Sequence, residues 1–194
     1  MISWVYIRLA FAVLLSIDLK MLHIGLPVFT SLCALTTIAL VVASLIENKL
    51  VECNGGEWFG YTKMTGGNIS ASTFYTDLQK HDLSNDTIDS VASYAWPAMA
   101  TAISGVLFSG LMIFFLFSRS ESWRFTLFMS LLSICVLLVS ATFATVLVGR
   151  ADSYISSSTC TVGRDTYLVW AGCAIMIVGA RTHAKSESKW AVLS

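Results

Sequence analysis

The five cysteines carry the most distinctive chemistry in this chain, and their surroundings divide them into two groups. Cys33, Cys135 and Cys173 lie within long apolar runs, where a thiol acts as a small apolar packing residue. Cys53 and Cys160 lie in separate polar segments between such runs. If both segments face one oxidising compartment, these thiols can form a disulfide; otherwise they remain free or pair with other molecules. We predict the bond Cys53–Cys160, worth about 4 kcal/mol of stability in the chain-entropy description because the loop that it closes is long.

Other reactive side chains do not form a catalytic or metal-binding pattern. His23, His81 and His183 fall in three separate segments, so no two of them have the spacing of metal ligands. The sequence contains no Cys-x-x-Cys pair, no nucleophile elbow and no phosphate-binding glycine loop. The formal net charge is zero, which gives no electrostatic reason to expect nucleic acid or an acidic substrate. We therefore predict no enzymatic activity, no cofactor, no metal and no small-molecule substrate.

The elements that must position the two cysteines are membrane spans. Apolar residues make up 56% of the chain and charged residues 12%, and the charges are confined to short stretches. A hydrocarbon core of ~30 Å needs ~20 helical residues. The predicted fold is an all-α membrane protein, a four-transmembrane-helix antiparallel bundle with a small extracellular cap containing short β-strands. Its predicted segments are spans at 21–46, 97–118, 125–149 and 164–180, extracellular loops at 47–96 and 150–163, a cytoplasmic turn at 119–124 and a cytoplasmic tail at 181–194.

Basic residues near the ends of the spans predict the orientation. Arg119 and Arg124 lie in the short turn and Arg181 begins the tail, whereas the segment 47–96 is acidic. Because cytoplasmic loops are enriched in Lys and Arg, both termini are predicted inside, in a plasma-membrane protein. The glycan-acceptor patterns at Asn68 (Asn-Ile-Ser) and Asn85 (Asn-Asp-Thr) fall in the segment predicted outside, which agrees with this orientation.

The first twenty residues have two interpretations. Residues 1–20 are apolar but contain Arg8, and they continue directly into the first span. We favour an interfacial helix or an extension of that span, with Trp4 and Tyr6 at headgroup depth. The alternative is a cleaved signal peptide, although its basic residues would be expected before the apolar stretch.

The first loop contains an aromatic pair, Trp58-Phe59, in a glycine-rich stretch that is predicted to form two short strands. An exposed aromatic pair on an outer loop can bind a partner protein. It can equally lie in the outer membrane interface. The second span carries small residues on one helix face, which lets a neighbouring helix approach closely. They are Ala98, Ala102, Gly105 and Ser109, and we favour packing within the chain over a dimer face.

The plan of four spans, a first outer loop of about fifty residues and a short second loop resembles the claudin and peripheral myelin protein superfamily. Local likeness lies in Gly56 to Gly60 (GEWFG), in Arg124 to Arg150 and in Thr166 to Ala180. The resemblance implies a tetraspan fold and a role in adhesion or in the organisation of membrane complexes. Claudins keep two cysteines within the first loop, whereas this loop holds Cys53 alone.

The function predicted on this basis is that of a non-enzymatic plasma-membrane protein that associates laterally or in trans. Its expected partners are membrane lipids and other membrane proteins or copies of itself. Adhesion, organisation of a membrane domain and an accessory subunit of a larger complex all fit. The alternative is a subunit of an oligomeric large-pore channel, in which residues 2–17 would fold into the pore.

Overall fold

A computed structural model of the 194-residue chain describes residues 26–54, 56–66, 69–80, 86–117, 123–154 and 159–193. The predicted N-terminal segment 1–20 and the two predicted glycan acceptors, Asn68 and Asn85, lie outside these residues. The helices and strands are, in chain order, α1 (Leu26–Glu47), β1 (Val51–Cys53), β2 (Trp58–Phe59), β3 (Lys63–Gly66), β4 (Ile69–Phe74), α2 (Tyr75–Lys80), α3 (Asp86–Phe117), α4 (Trp123–Tyr154), β5 (Cys160–Val162) and α5 (Arg164–Leu193).

The chain is mostly helical, and three of its described helices are long and apolar enough to cross a membrane. The candidate spans are Pro27–Glu47, Ile88–Phe117 and Arg124–Asp152. In α5 the apolar run ends near Ala180, and the helix continues through polar residues to Leu193. The structure is therefore that of a membrane protein with three candidate spans and a small antiparallel sheet.

Helix α3 begins at Asp86, well before the span predicted at 97–118. Pro97, the first residue of the predicted span, therefore lies inside the helix. Two carboxylates in the first turn, Asp86 and Asp89, favour this earlier start because they complement the positive end of the helix dipole. The added turns bury Ile88 and Val91 beneath the sheet, so the last part of the first loop is helical.

Helices α3 and α4 form an antiparallel pair packed through small residues. The hydroxyls of Ser109 and Ser133 lie 2.8 Å apart, and Ser140 Oγ donates to the carbonyl of Ala98 at 2.7 Å. At Gly105 an added Cβ would lie 2.6 Å from a methyl carbon of Leu137. The four small residues named from the sequence, Ala98, Ala102, Gly105 and Ser109, are all buried. The contacts at Ala98, Gly105 and Ser109 are all made with α4.

Helices α1 and α5 form a second antiparallel pair. Thr37 Oγ1 donates to the carbonyl of Gly172 at 3.0 Å, midway along α1 and midway along the apolar half of α5. One end of the contact lies at Gly179, where an added Cβ would be 3.0 Å from Cβ of Cys33. At the other end Arg164 pairs with Glu47. The apolar half of α5 therefore runs beside α1 for most of the length of α1.

The strands form one five-stranded sheet in the order β4-β3-β2-β1-β5, with every neighbouring pair antiparallel. Four strands come from the first loop, where two were predicted, and the fifth comes from the second loop. One face of the sheet is apolar. Its Val51, Phe59 and Met64 are buried against the N-terminal end of α3 and the C-terminal end of α4. The other face carries Glu52 and Trp58, which are partners in the β1–β2 register. We call the described residues of 48–80 and 159–163 the cap.

Candidate functional site

The cap contains the predicted disulfide. Cys53 and Cys160 are opposite each other in the β1–β5 register, their sulfur atoms are bonded, and their Cα atoms are 4.0 Å apart. The bond joins residues separated by 107 positions. The prediction of this disulfide is confirmed, and the two polar segments between the apolar helices therefore meet on one side of the bundle.

Hydrogen bonds fix the end of the sheet that carries the disulfide. Asn54 donates from its backbone N–H to the carbonyl of Thr159 at 3.2 Å and from Nδ2 to Thr159 Oγ1 at 2.7 Å. The N–H of Cys160 donates to Asp152 Oδ1 at 2.6 Å. Because Asp152 belongs to α4, the hydrogen bond from Cys160 to Asp152 joins the disulfide to the end of the α3–α4 pair.

Asn48 fastens the β2–β3 turn to the end of α1. It follows Glu47 directly and has φ 60°, the left-handed conformation that commonly ends a helix. Its Oδ1 accepts from the N–H groups of Tyr61 (2.5 Å) and Thr62 (3.3 Å), and its Nδ2 donates to Thr62 Oγ1 at 3.1 Å. An added Cβ at Gly60 would lie 1.8 Å from the carbonyl oxygen of Asn48, so this approach requires glycine.

Residues 163–166 fasten the same end of α1 to the start of α5. The N–H of Gly163 and the hydroxyl of Thr166 both donate to the carbonyl of Leu50, at 2.7 and 2.9 Å. Asp165 Oδ2 accepts from the N–H of Lys49 at 2.5 Å. With the Arg164–Glu47 ion pair beside them, these contacts hold the connection between α1 and β1 in place.

Asp165 is an acid in an unusual environment. It is 0% exposed and lies at the level of Lys49, beyond the candidate span Pro27–Glu47 and before the apolar run of α5. Burial raises its pKa to about 7; the N–H of Lys49 opposes the shift, and the nearby carboxylate of Glu47 adds to it. Asp165 therefore titrates in the physiological range.

Two tyrosines connect the cap to the bundle. The hydroxyl of Tyr61 lies 2.9 Å from Oγ of Ser44, a residue of α1. Tyr75 donates from its hydroxyl to the carbonyl of Gly60 at 3.1 Å, which holds the start of α2 against the β2–β3 turn. Both rings are buried, and burial raises the pKa of Tyr61 to about 12. These hydroxyls therefore serve as neutral hydrogen-bonding groups.

The structure separates the two aromatic residues predicted to contact a partner. Phe59 is 0% exposed in the core beneath the sheet, so its predicted role in partner contact is wrong. The physical reason is strand alternation, which points adjacent residues to opposite faces. Trp58 lies on the outer face, half-buried, with Lys49 Nζ 5.8 Å from its ring centroid. A second pair of this kind places Lys63 Nζ 4.3 Å from the ring centroid of Phe74.

Sequence reasoning missed the fastening residues Asn48, Gly60 and Asp165. A signal existed for Asn48, because asparagine directly after an apolar helical run is a common helix end. Asp165 directly precedes an apolar run, which marks a helix start but does not reveal the distant N–H that it accepts. The contacts of these residues cross the chain, so sequence spacing alone does not indicate them.

Within the described ranges, no cluster of three or more His, Cys, Asp or Glu residues could hold a metal ion. No protein-family model matches this sequence, and no curated protein matches it at a significant level.

Proposed function

We propose that this chain is a four-span plasma-membrane protein that acts without catalysis, by association of its extracellular cap with other membrane proteins or with copies of itself. The observation that carries the proposal is a firmly attached cap with an exposed outer face. Asn48 and residues 163–166 hold the cap on α1 and α5, and the disulfide joins the two segments of the cap. A binding surface held in one conformation loses little conformational entropy when a partner binds.

The contact surface that we propose is the row of outward-facing residues across β5, β1, β2 and β3. The register aligns Thr161 with Glu52, Glu52 with Trp58 and Trp58 with Thr65. Thr161 and Glu52 are exposed. A flat row of polar and aromatic side chains with one charge is suited to a protein partner of matching shape.

The fourth span in this proposal is the apolar half of α5. It begins after Asp165 and runs antiparallel to α1, with the Arg164–Glu47 pair at one end of the contact and the approach of Gly179 to Cys33 at the other. From Cys33 to Glu47, α1 rises by fourteen residue steps, about 21 Å at 1.5 Å per residue. A helix held against α1 over that distance shares its depth, so it crosses if α1 crosses.

The orientation proposed is cap outside and both termini cytoplasmic. Arg124 begins the span of α4 and Arg181 follows the apolar run of α5, at the ends of these helices opposite the cap. The disulfide agrees with this orientation, since such bonds persist in oxidising compartments. Kinship with the claudin and peripheral myelin protein superfamily is part of the proposal, and it is supported by the GEWFG segment in a cap built from both loops.

The proposal is tested by chemical cross-linking of the full chain in cells, followed by recovery of its partners. Glu52→Arg and Thr161→Arg together place two new positive charges on the outer face and should lower partner recovery about tenfold through charge mismatch. Thr76→Arg adds a charge to the exposed side of α2 and serves as the control, with recovery unchanged.

Equal recovery from the wild type and the outer-face variant would contradict association through this face. Imaging of the purified assembly provides the second readout. A closed ring of copies around an open axis would instead favour the large-pore channel.

A further inference from the structure

The cap carries two lysine–aromatic pairs, Lys49 with Trp58 and Lys63 with Phe74. Lys49 is exposed, and Phe74 is an exposed apolar ring at 43%. An aromatic ring partly screens the charge of an ammonium group, but it offers no oxygen to accept hydrogen bonds from the three N–H donors of that group. Each pair therefore presents a cation that is still able to bind an anion, beside an apolar surface. We call these four residues the rim.

The hydrogen bonds of the cap fix the distance of the rim from the membrane. The candidate span of α1 ends at Glu47, and Lys49 follows two residues later. Lys63 is the residue after Thr62, whose N–H and hydroxyl bond to Asn48.

Phe74 is held at the same level. It is the register partner of Lys63 and directly precedes Tyr75, whose N–H donates to the carbonyl of Thr62 at 3.1 Å. The polar layer of a bilayer is ~5–8 Å thick on each side, and consecutive Cα atoms are ~3.8 Å apart. Lys49, Lys63 and Phe74 are therefore within reach of the headgroup layer, and Trp58 lies beside Lys49.

We propose that the rim binds phospholipid headgroups of the leaflet on the cap side. The ammonium groups of Lys49 and Lys63 meet lipid phosphates, and the rings of Trp58 and Phe74 lie at the boundary between headgroups and acyl chains. Indole rings and lysines both favour this boundary, where one end of the side chain is apolar and the other is solvated. The rim rests on α1 crossing a bilayer. Within the proposed contact row it assigns Trp58 to the lipid and leaves Glu52 and Thr161 to a protein partner.

The depth of Trp58 is measured with the full chain in phosphatidylcholine nanodiscs that carry a nitroxide on the headgroup or at the end of the acyl chain. The difference in fluorescence between wild type and Trp58→Phe isolates this residue from the other tryptophans. We expect the headgroup nitroxide to abolish most of the Trp58 signal and the chain-end nitroxide to leave most of it. A Trp58 signal that only an aqueous quencher reduces would overturn the proposal.

The lysines are tested by the preference of the protein for spin-labelled phosphatidylserine over phosphatidylcholine. Each lysine near an anionic surface contributes ~1 kcal/mol, so Lys49→Gln and Lys63→Gln should each lower the preference about fivefold. Lys49→Arg and Lys63→Arg should each retain the preference for phosphatidylserine.

The control combines Lys49→Gln with Asn54→Lys, which restores the net charge at the distal end of β1. This variant should bind phosphatidylserine as weakly as Lys49→Gln alone. Recovery of the preference for phosphatidylserine would show that net charge alone attracts the lipid. It would overturn the proposal that the rim binds headgroups. A variant that loses the lipid preference but keeps normal partner cross-linking shows that the rim acts independently of the proposed function. A variant that keeps the lipid preference but loses partner cross-linking shows the same independence.

Discussion

At the scale of single residues, the attachment of the cap depends on a few side chains whose contacts cross the chain. The protonation state of Asp165 changes with pH. Its folded pKa, about 7, lies above the ordinary value of 3.8, so between these two pH values the folded protein holds a proton that the unfolded chain has lost. The contribution of Asp165 to the free energy of unfolding is therefore greatest below pH 4 and falls as the pH rises through 7.

We predict that Asp165→Asn removes this part of the pH dependence of stability. Asparagine keeps an oxygen acceptor for the N–H of Lys49 but does not titrate. Denaturant unfolding of the purified protein between pH 5 and 8 should give a flatter profile than that of the wild type. Thr166→Val removes a neighbouring hydroxyl that donates to the carbonyl of Leu50 and does not titrate, so this variant should keep the wild-type slope. Equal slopes for Asp165→Asn and wild type would contradict the titration of Asp165.

Gly60 provides a second prediction at this scale. A methyl group there meets the carbonyl of Asn48, which is backbone and cannot rotate away. Gly60→Ala should lower the free energy of unfolding by about 2–4 kcal/mol, the range of substitutions that create severe overlap in a buried site. Gly149→Ala is the control, because an added Cβ there has no neighbour within 4 Å. Hydrogen exchange in the β2–β3 turn should rise only in the Gly60 variant.

At the scale of elements, the α3–α4 interface depends on small side chains. Gly105→Leu should cost about 1–3 kcal/mol of unfolding free energy, because the new side chain overlaps Leu137. Gly110→Leu on the same helix, where an added Cβ has no neighbour within 4 Å, should cost much less. Leu137→Ala should partly rescue the first variant in a double-mutant cycle. Additive effects of the two substitutions would show that these residues do not pack together.

The elements also show which parts of the fold the sequence can indicate. Apolar length indicated α1, α3 and α4 because a span is a continuous local pattern. Strand β5 has three residues, too few for a pattern of its own, and it exists because β1 offers it an edge. The start of α3 at Asp86 was missed for a similar reason, since its first turns are stabilised by packing against the sheet. The stretch containing Trp58 and Phe59 was predicted to form short strands, and alternation along a strand already places these two side chains on opposite faces, so their separation followed from the sequence.

At the scale of the whole molecule, the disulfide covalently links the two segments of the cap. The double substitution Cys53→Ser and Cys160→Ser should lower the free energy of unfolding by about 4 kcal/mol, because the unfolded chain gains the entropy of an open loop. Thermal unfolding with and without reductant measures this cost. Cys135→Ser, at an exposed free thiol, is the control and should remain close to wild type in both conditions. A wild-type midpoint that reductant does not shift would contradict a stabilising bond.

The pairing of β1 with β5 also sets an order of events during biosynthesis. Strand β1 and helix α1 are made first, yet their partners β5 and α5 lie beyond residue 159, after the whole α3–α4 pair. Until those residues emerge, α1 lacks its contact with α5 and Cys53 has no Cys160 to meet. Formation of the disulfide is therefore a late step that only a chain translated past residue 160 can complete. An oxidised cap identifies a molecule in which α1 and α5 have found each other, which is information that a quality-control system could detect on the cap side of the membrane.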